Sequence, residues 1–193
     1  LSRLAKAMPN TEGAFALLWR SPSASERFEG TGAISADDCK SFGFVGLAAR
    51  ACGVEMDVRS DHPWGSYRFE QLPVSTYATG DVFARAYIRE LETKRSADYV
   101  KTLLGALPEG GVSQEAEPKL APDSLAVSFV EGWRGEVCHV AVTGSTGRFA
   151  AYKVVDPSFH NWLALALSLR DEQISNFPIC NKSFNLSYCG HDL

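Results

Sequence analysis

The sequence predicts an α+β chain, mostly helical, and three observations carry that prediction. Apolar residues recur at helical spacing over 81–107: Phe83, Tyr87 and Leu91 lie four apart, and Val100, Leu104 and Leu107 resume the stripe. Between Leu125 and Val155 the period changes to two, in runs rich in β-branched and aromatic residues. With 193 residues, 45% of them hydrophobic, the chain has enough apolar mass for one sizeable core.

The remaining elements follow in chain order. Leu4, Ala7, Met8, Phe15, Leu17 and Leu18 predict a helical turn or two, a break at Pro9, then a helix across Gly13–Arg20. Ser21–Gly32 reads as turns. Ser35 is an N-cap, with Asp37 and Asp38 at the positive end of a helix running to about Cys52, where Gly53 stops it. The pair Gly43 and Gly46 inside that helix suggests close approach to another element. Asp57–Thr79 is irregular. The long helix spans about 81–107 and ends at Pro108-Glu109-Gly110-Gly111. Lys94 and Arg95 interrupt its stripe, either as snorkelling stems or as charge facing a partner or channel. A polar stretch to Asp123 leads into a three-strand antiparallel meander over about 125–155, with Gly144–Gly147 as its second hairpin loop. Asn161 would cap a short helix through Leu169, and Asp171 another that fails before Pro178.

Composition excludes several function classes. The formal net charge is −4 with no block of like charge, so nucleic acid is not the expected partner. The longest purely apolar run, Trp162–Leu167, is far short of the ~20 residues a membrane helix needs. Five scattered cysteines and no CxxC read as reduced thiols in a cytosolic compartment, without a zinc ribbon or thioredoxin-like site. There is no paired-histidine zinc motif, no GxSxG and no phosphate-binding GxxxxGK[ST].

Two clusters stand out. Glu131-Gly132-Trp133-Arg134-Gly135-Glu136 places a guanidinium on a glycine-flanked corner between strands, with His139 five residues on. Such a corner can aim Arg134 at a sheltered anion; the alternatives are a solvated surface arginine and a core histidine bonded to backbone. Cys189 and His191 pair a soft thiolate with an imidazole near the end of the chain, but two ligands do not close a metal site.

At these residues the chain resembles the C-terminal half of the large subunit of group 4, membrane-bound nickel–iron hydrogenases, the formate hydrogenlyase type. It equally resembles the homologous 49-kDa subunit of respiratory complex I, the NADH-quinone oxidoreductase. The resemblance begins at Arg27–Gly32, similar to a family Arg-x-x-Gly-Thr-Gly. It continues through Gly46–Gly53, Asp61–Trp64, Gly80–Arg85 and Leu107–Gly110. Glu131–Glu136 resembles the family's Glu-Gly-Pro-Arg-Gly-Glu, with Trp133 in place of proline, and Asp156–Trp162 echoes a Pro-Ser-Phe-x-Asn stretch.

The resemblance implies that this is the C-terminal portion of a large subunit, with the N-terminal half outside this chain. It also implies a working metal site of four cysteines, of which one pair would lie upstream. At the other pair, Leu186 takes the place of the first thiolate and Cys189 remains as a vestigial single ligand. The expectation is therefore no cofactor on this chain and no nickel, with iron–sulfur clusters in a partner subunit. Arg134 and His139 are the carried-over catalytic candidates. The implied setting is an NADH-quinone or hydrogenase-like oxidoreductase complex, with NAD and quinone as the reactants binding to it. Its other parts would be a small iron–sulfur subunit, the N-terminal half and membrane subunits, at the cytoplasmic side of the inner membrane. A non-catalytic scaffold is the alternative.

Overall fold

The computed structural model describes all residues except 71, 112, 114–118 and 193. Part of the polar stretch before Asp123 therefore lies outside the described residues. The predicted class holds. Helices α1 (Ser2–Trp19), α2 (Pro22–Phe28), α3 (Ala36–Phe42), α4 (Gly46–Ala51), α5 (Val58–Asp61) and α6 (Val82–Gly105) precede three strands. These are β1 (Leu125–Gly132), β2 (Gly135–Thr143) and β3 (Phe149–Val155), followed by α7 (Pro157–Ser168), α8 (Phe177–Phe184) and α9 (Tyr188–His191). The sheet is antiparallel in the order β1-β2-β3, with Phe129 opposite Cys138 and Cys138 opposite Val155.

The first helix differs from its prediction. It runs unbroken through Pro9. The ring removes one intrahelical bond, the one that would reach the Ala5 carbonyl, and packing of α1 on α2 and α6 outweighs that loss. The turn-rich segment contains α2, because Pro22 sits in the first turn of the helix, where its fixed φ favours helix over turn.

The helix predicted from Ser35 to Cys52 is two helices. Ser35 Oγ accepts from the Asp38 amide at 3.0 Å, as a cap should, but Gly43 turns left-handed (φ +68°) and ends α3. The close approach belongs to Gly46 alone. A Cβ there would lie 2.1 Å from the Gly135 Cα, whereas one at Gly43 would meet nothing within 4 Å. Gly46 thus lets α4 rest directly on the corner between β1 and β2.

The long helix is as predicted to within two residues. Asp81 caps it by accepting from the Ala84 amide (2.8 Å), and also holds the Gly30 amide and the Thr79 hydroxyl. Lys94 pairs with Glu90 at 2.6 Å, and Arg95 donates to the Pro73 carbonyl and the Ser75 hydroxyl. Both interrupting charges are satisfied within the chain.

Two capping expectations fail. Asp156, not Asn161, caps α7, accepting from the Ser158 amide, with Pro157 in the first turn. Asn161 instead sits buried inside the helix and clasps Val45 through both backbone groups, at 3.0 and 3.1 Å. No helix starts at Asp171, whose φ is +60°. Pro178 opens α8 rather than ending a helix.

The core lies among α3, α4, α6, α7 and α8, around Phe44, Ala48, Val82, Leu165, Phe184 and Leu186. Arg85 staples it. Fully buried, it donates to Ser183 Oγ, the Gly80 carbonyl and the Gly32 carbonyl, and lies 4.1 Å from the centre of the Phe184 ring. Burial pushes its guanidinium down to about 10, still a cation at neutral pH. By contrast α1 buries no residue fully, and Leu17, Phe177 and Tyr188 are exposed. Among the described residues no helix is long and apolar enough to cross a membrane.

Candidate functional site

The site is built where the turn between β1 and β2 meets the end of α8. Gly135 packs against Gly46, which fixes the turn from one side. The Arg134 carbonyl accepts from Asn161 Nδ2 at 3.4 Å, and Arg134 Nε donates to the Asn185 carbonyl. From α6, Arg89 donates to the Ser183 and Phe184 carbonyls, at 2.5 and 3.2 Å. Three consecutive carbonyls at the C-terminal end of α8 are thus held by two arginines. That end carries the negative pole of the helix and unpaired carbonyls, so two cations there are physically matched. Asn185, left-handed at φ +55°, turns the chain away toward Leu186 and α9. Trp133 stands exposed at the tip, with the Arg89 guanidinium 5.4 Å from its ring centre.

The structure does not bring the two catalytic candidates together. Arg134 engages Asn185, while the His139 Nδ1 lies 2.8 Å from the Tyr152 hydroxyl on β3. Cys189 is exposed on α9, and His191 beside it stacks on Phe159 (5.6 Å between rings). Leu186 is buried in the core. Among the described residues no three His, Cys, Asp or Glu side chains gather as a metal-holding group.

A second polar centre adjoins the corner, and sequence reasoning missed it. Arg50 is 1% exposed, and its Nη1 lies 2.9 Å from Glu131 and 3.7 Å from Asp57. Its Nη2 is 3.0 Å from Glu92, without hydrogen-bond geometry. Arg59 completes the group at 2.5 Å from Asp57. Two arginines thus face three carboxylates, and the two carboxyls whose titration shifts move in opposite directions. Burial pushes the Asp57 carboxyl up, but the Arg59 hydrogen bond and the Arg59 and Arg50 charges outweigh it, leaving it below the usual range. At Glu131 burial prevails over Arg50 and the carboxyl is raised. By linkage, Asp57 stabilises the fold above its unfolded pKa of about 3.9 and loses that as pH falls through its lower folded value. The raised Glu131 works the other way and softens the acid transition. The signal was present in the sequence: Arg50 is one charge inside Leu47-Ala48-Ala49-Arg50-Ala51-Cys52, and a charge in so apolar a run must be paired.

With this geometry in place, the likeness to known proteins is specific. Residues 2–126 match the family model described as "Respiratory-chain NADH dehydrogenase, 49 Kd subunit". The chain belongs to that family. This 49-kDa-family chain is 31% identical over 164 residues to a carbon monoxide-induced hydrogenase of Rhodospirillum rubrum, covering 85% of the chain and 45% of the relative. It is 34% identical over 190 residues to an NADH-quinone oxidoreductase subunit of Chloroherpeton thalassium, covering 84% and 43%. Formate hydrogenlyase subunit 5 of Escherichia coli is 27% identical over 172 residues, with 89% and 30% covered. The chain therefore spans less than half the length of these relatives. Its fold is that of a chain in the membrane-bound sulfane sulfur reductase, an archaeal respiratory membrane complex, at TM-score 0.90 and 21% identity, covering 98% of this chain and 53% of that one.

Proposed function

We propose that this chain is the C-terminal portion of a nickel-free large subunit in a membrane-associated redox complex, where it supports electron transfer beside a small iron–sulfur subunit. One observation carries the reading. The segment that the family resemblance gives to metal is built here from arginine-clamped carbonyls at the end of α8 and from the buried hydrocarbon Leu186, with Cys189 turned to the exterior. In this reading electrons pass through iron–sulfur clusters held by the partner, and NAD and a quinone are the reactants of the whole complex. The N-terminal half and the membrane subunits cover the remaining faces. The chain lies on the cytoplasmic side of the inner membrane through those partners. Arg134 presents positive charge at the corner and steadies an anionic group in a sheltered pocket.

A scaffold role is favoured by one specific contact: Arg134 already gives its Nε to the Asn185 carbonyl, a purely structural bond. Arg134→Lys in the assembled complex separates the two. Lysine keeps charge and loses the planar fork, so the redox reading predicts turnover lower by about 5- to 30-fold, about 1–2 kcal/mol for one charge-assisted bond, with assembly kept. Unchanged turnover in a fully assembled variant decides for the scaffold.

A further inference from the structure

Cys39, on α3, and Cys52, at the end of α4, are free thiols in one buried cluster of the core, 1% and 2% exposed. The two helices pack on each other, and the two side chains share a hydrogen bond. The Cys52 thiol also donates to the Ala48 carbonyl at 3.3 Å. The other three cysteines stand elsewhere: Cys138 in β2, Cys180 in α8 against Gly32, and Cys189 exposed on α9. The candidate site uses neither thiol of the pair.

A sulfur that receives a hydrogen bond holds a negative charge more easily, and the donor of that bond gives up its proton less easily. The Cys52 hydrogen bond accordingly brings the Cys39 thiol below its ordinary value, against burial and with help from the Lys40 charge. The same bond, reinforced by burial, pushes the Cys52 thiol up. The pair is therefore unequal, with one sulfur suited to attack and the other keeping the proton. Thiolate character governs which cysteines oxidise. Burial closes this pair to bulky disulfides, so the oxidant that suits it is a small hydroperoxide.

We propose that Cys39 and Cys52 form a paired-thiol site that a small hydroperoxide converts to an intrachain disulfide. The Cys39 thiolate attacks the terminal peroxide oxygen. An S–O bond forms as the O–O bond breaks, and the leaving oxygen departs, protonated, as water or an alcohol. The resulting sulfenic acid no longer carries the charge that held the Cys52 proton. The Cys52 sulfur then attacks it, the S–S bond forms, and the hydroxyl leaves with the Cys52 proton as water. The two thiols lose two electrons and the O–O bond gains them. Sulfurs already in contact have only to close to the ~2.05 Å of a disulfide. The bond ties α3 to the end of α4, the helix that rests on the strand corner through Gly46. The inference is independent of the redox reading, since both thiols lie in the core of this chain.

The test treats the unaltered full chain with hydrogen peroxide while circular dichroism shows it folded, then blocks free thiols, digests it and maps the peptides by mass spectrometry. Most chains should yield one cross-linked pair, Cys39 to Cys52, which dithiothreitol separates. Exposed Cys189 reports that the oxidant acted, and Cys189→Ser should leave the cross-link in place, so that exchange through that thiol is not its source. Cys52→Ser removes the second sulfur at nearly constant volume and should stop Cys39 at the sulfenic acid, which dimedone captures in a denaturing quench. Recovery of Cys39 and Cys52 as free thiols once Cys189 is fully oxidised would overturn the proposal. So would a cross-link from either residue to a different cysteine, or a dimedone adduct on Cys39 as the end product in the unaltered chain.

Discussion

Arg50→Met should destabilise the protein by about 3–5 kcal/mol, one of the two largest effects expected of a single substitution. The side chain is 1% exposed, and removing it strands the buried Glu131 without its closest cation, 2.9 Å away, and weakens the hold on Glu92. Asp57 keeps Arg59 and loses less. The cost arises mainly from leaving carboxylates buried and unpaired, so pairing the change with Glu131→Gln should recover a good part of it. Urea midpoints of the two single variants and the double variant measure the coupling. Additive losses would show that Arg50 and Glu131 do not depend on each other.

Gly46→Ala should cost about 2–4 kcal/mol, through two additive causes. Its φ of +61° strains any residue with a Cβ, for about 1 kcal/mol. The new methyl would stand 2.1 Å from the Gly135 Cα and 2.7 Å from the Arg134 carbonyl, both backbone, so the strand corner must move off α4, for roughly 1–3 kcal/mol more. Gly43→Ala is the internal control. Its φ is similar at +68° and its surroundings are empty, so only the smaller cost should appear. Thermal melts of both variants check the difference; equal losses would mean that the contact between α4 and the corner contributes nothing.

These two positions also show where the sequence was legible. The long helix and the meander could be read because each rests on a repeating local pattern, a period near four or of two, that tertiary packing reinforces. Gly46 could be read as a point of close approach, though not what it approached, since Gly135 is distant in sequence. Prolines mislead in one direction. Pro9, Pro22 and Pro178 look like breaks in sequence, and all lie in helices, two of them in a first turn where proline is at home. Asn161 looks like a cap because its side chain suits one, yet it bonds Val45 backbone, a partner no local pattern reveals.

The candidate site was legible in part for the same reason. Arg134 stands out on a glycine-flanked turn, but its target, the Asn185 carbonyl, comes from the far end of the chain. Closeness in sequence and the family resemblance link His139 to it, whereas the strand directs that imidazole to Tyr152. Arg89 escapes notice because a helical arginine is ordinarily solvated. Only the arrival of α8 beneath it turns it into a buried cation.

The central claim is that a member of the 49-kDa family with Leu186 in its core and a solitary exposed Cys189 works in a redox complex without nickel. Elemental analysis of the purified, dialysed complex containing this chain tests it most directly. Iron in the multiples expected of iron–sulfur clusters, with nickel far below one atom per chain, is the predicted result; one nickel per chain retained through dialysis would contradict it.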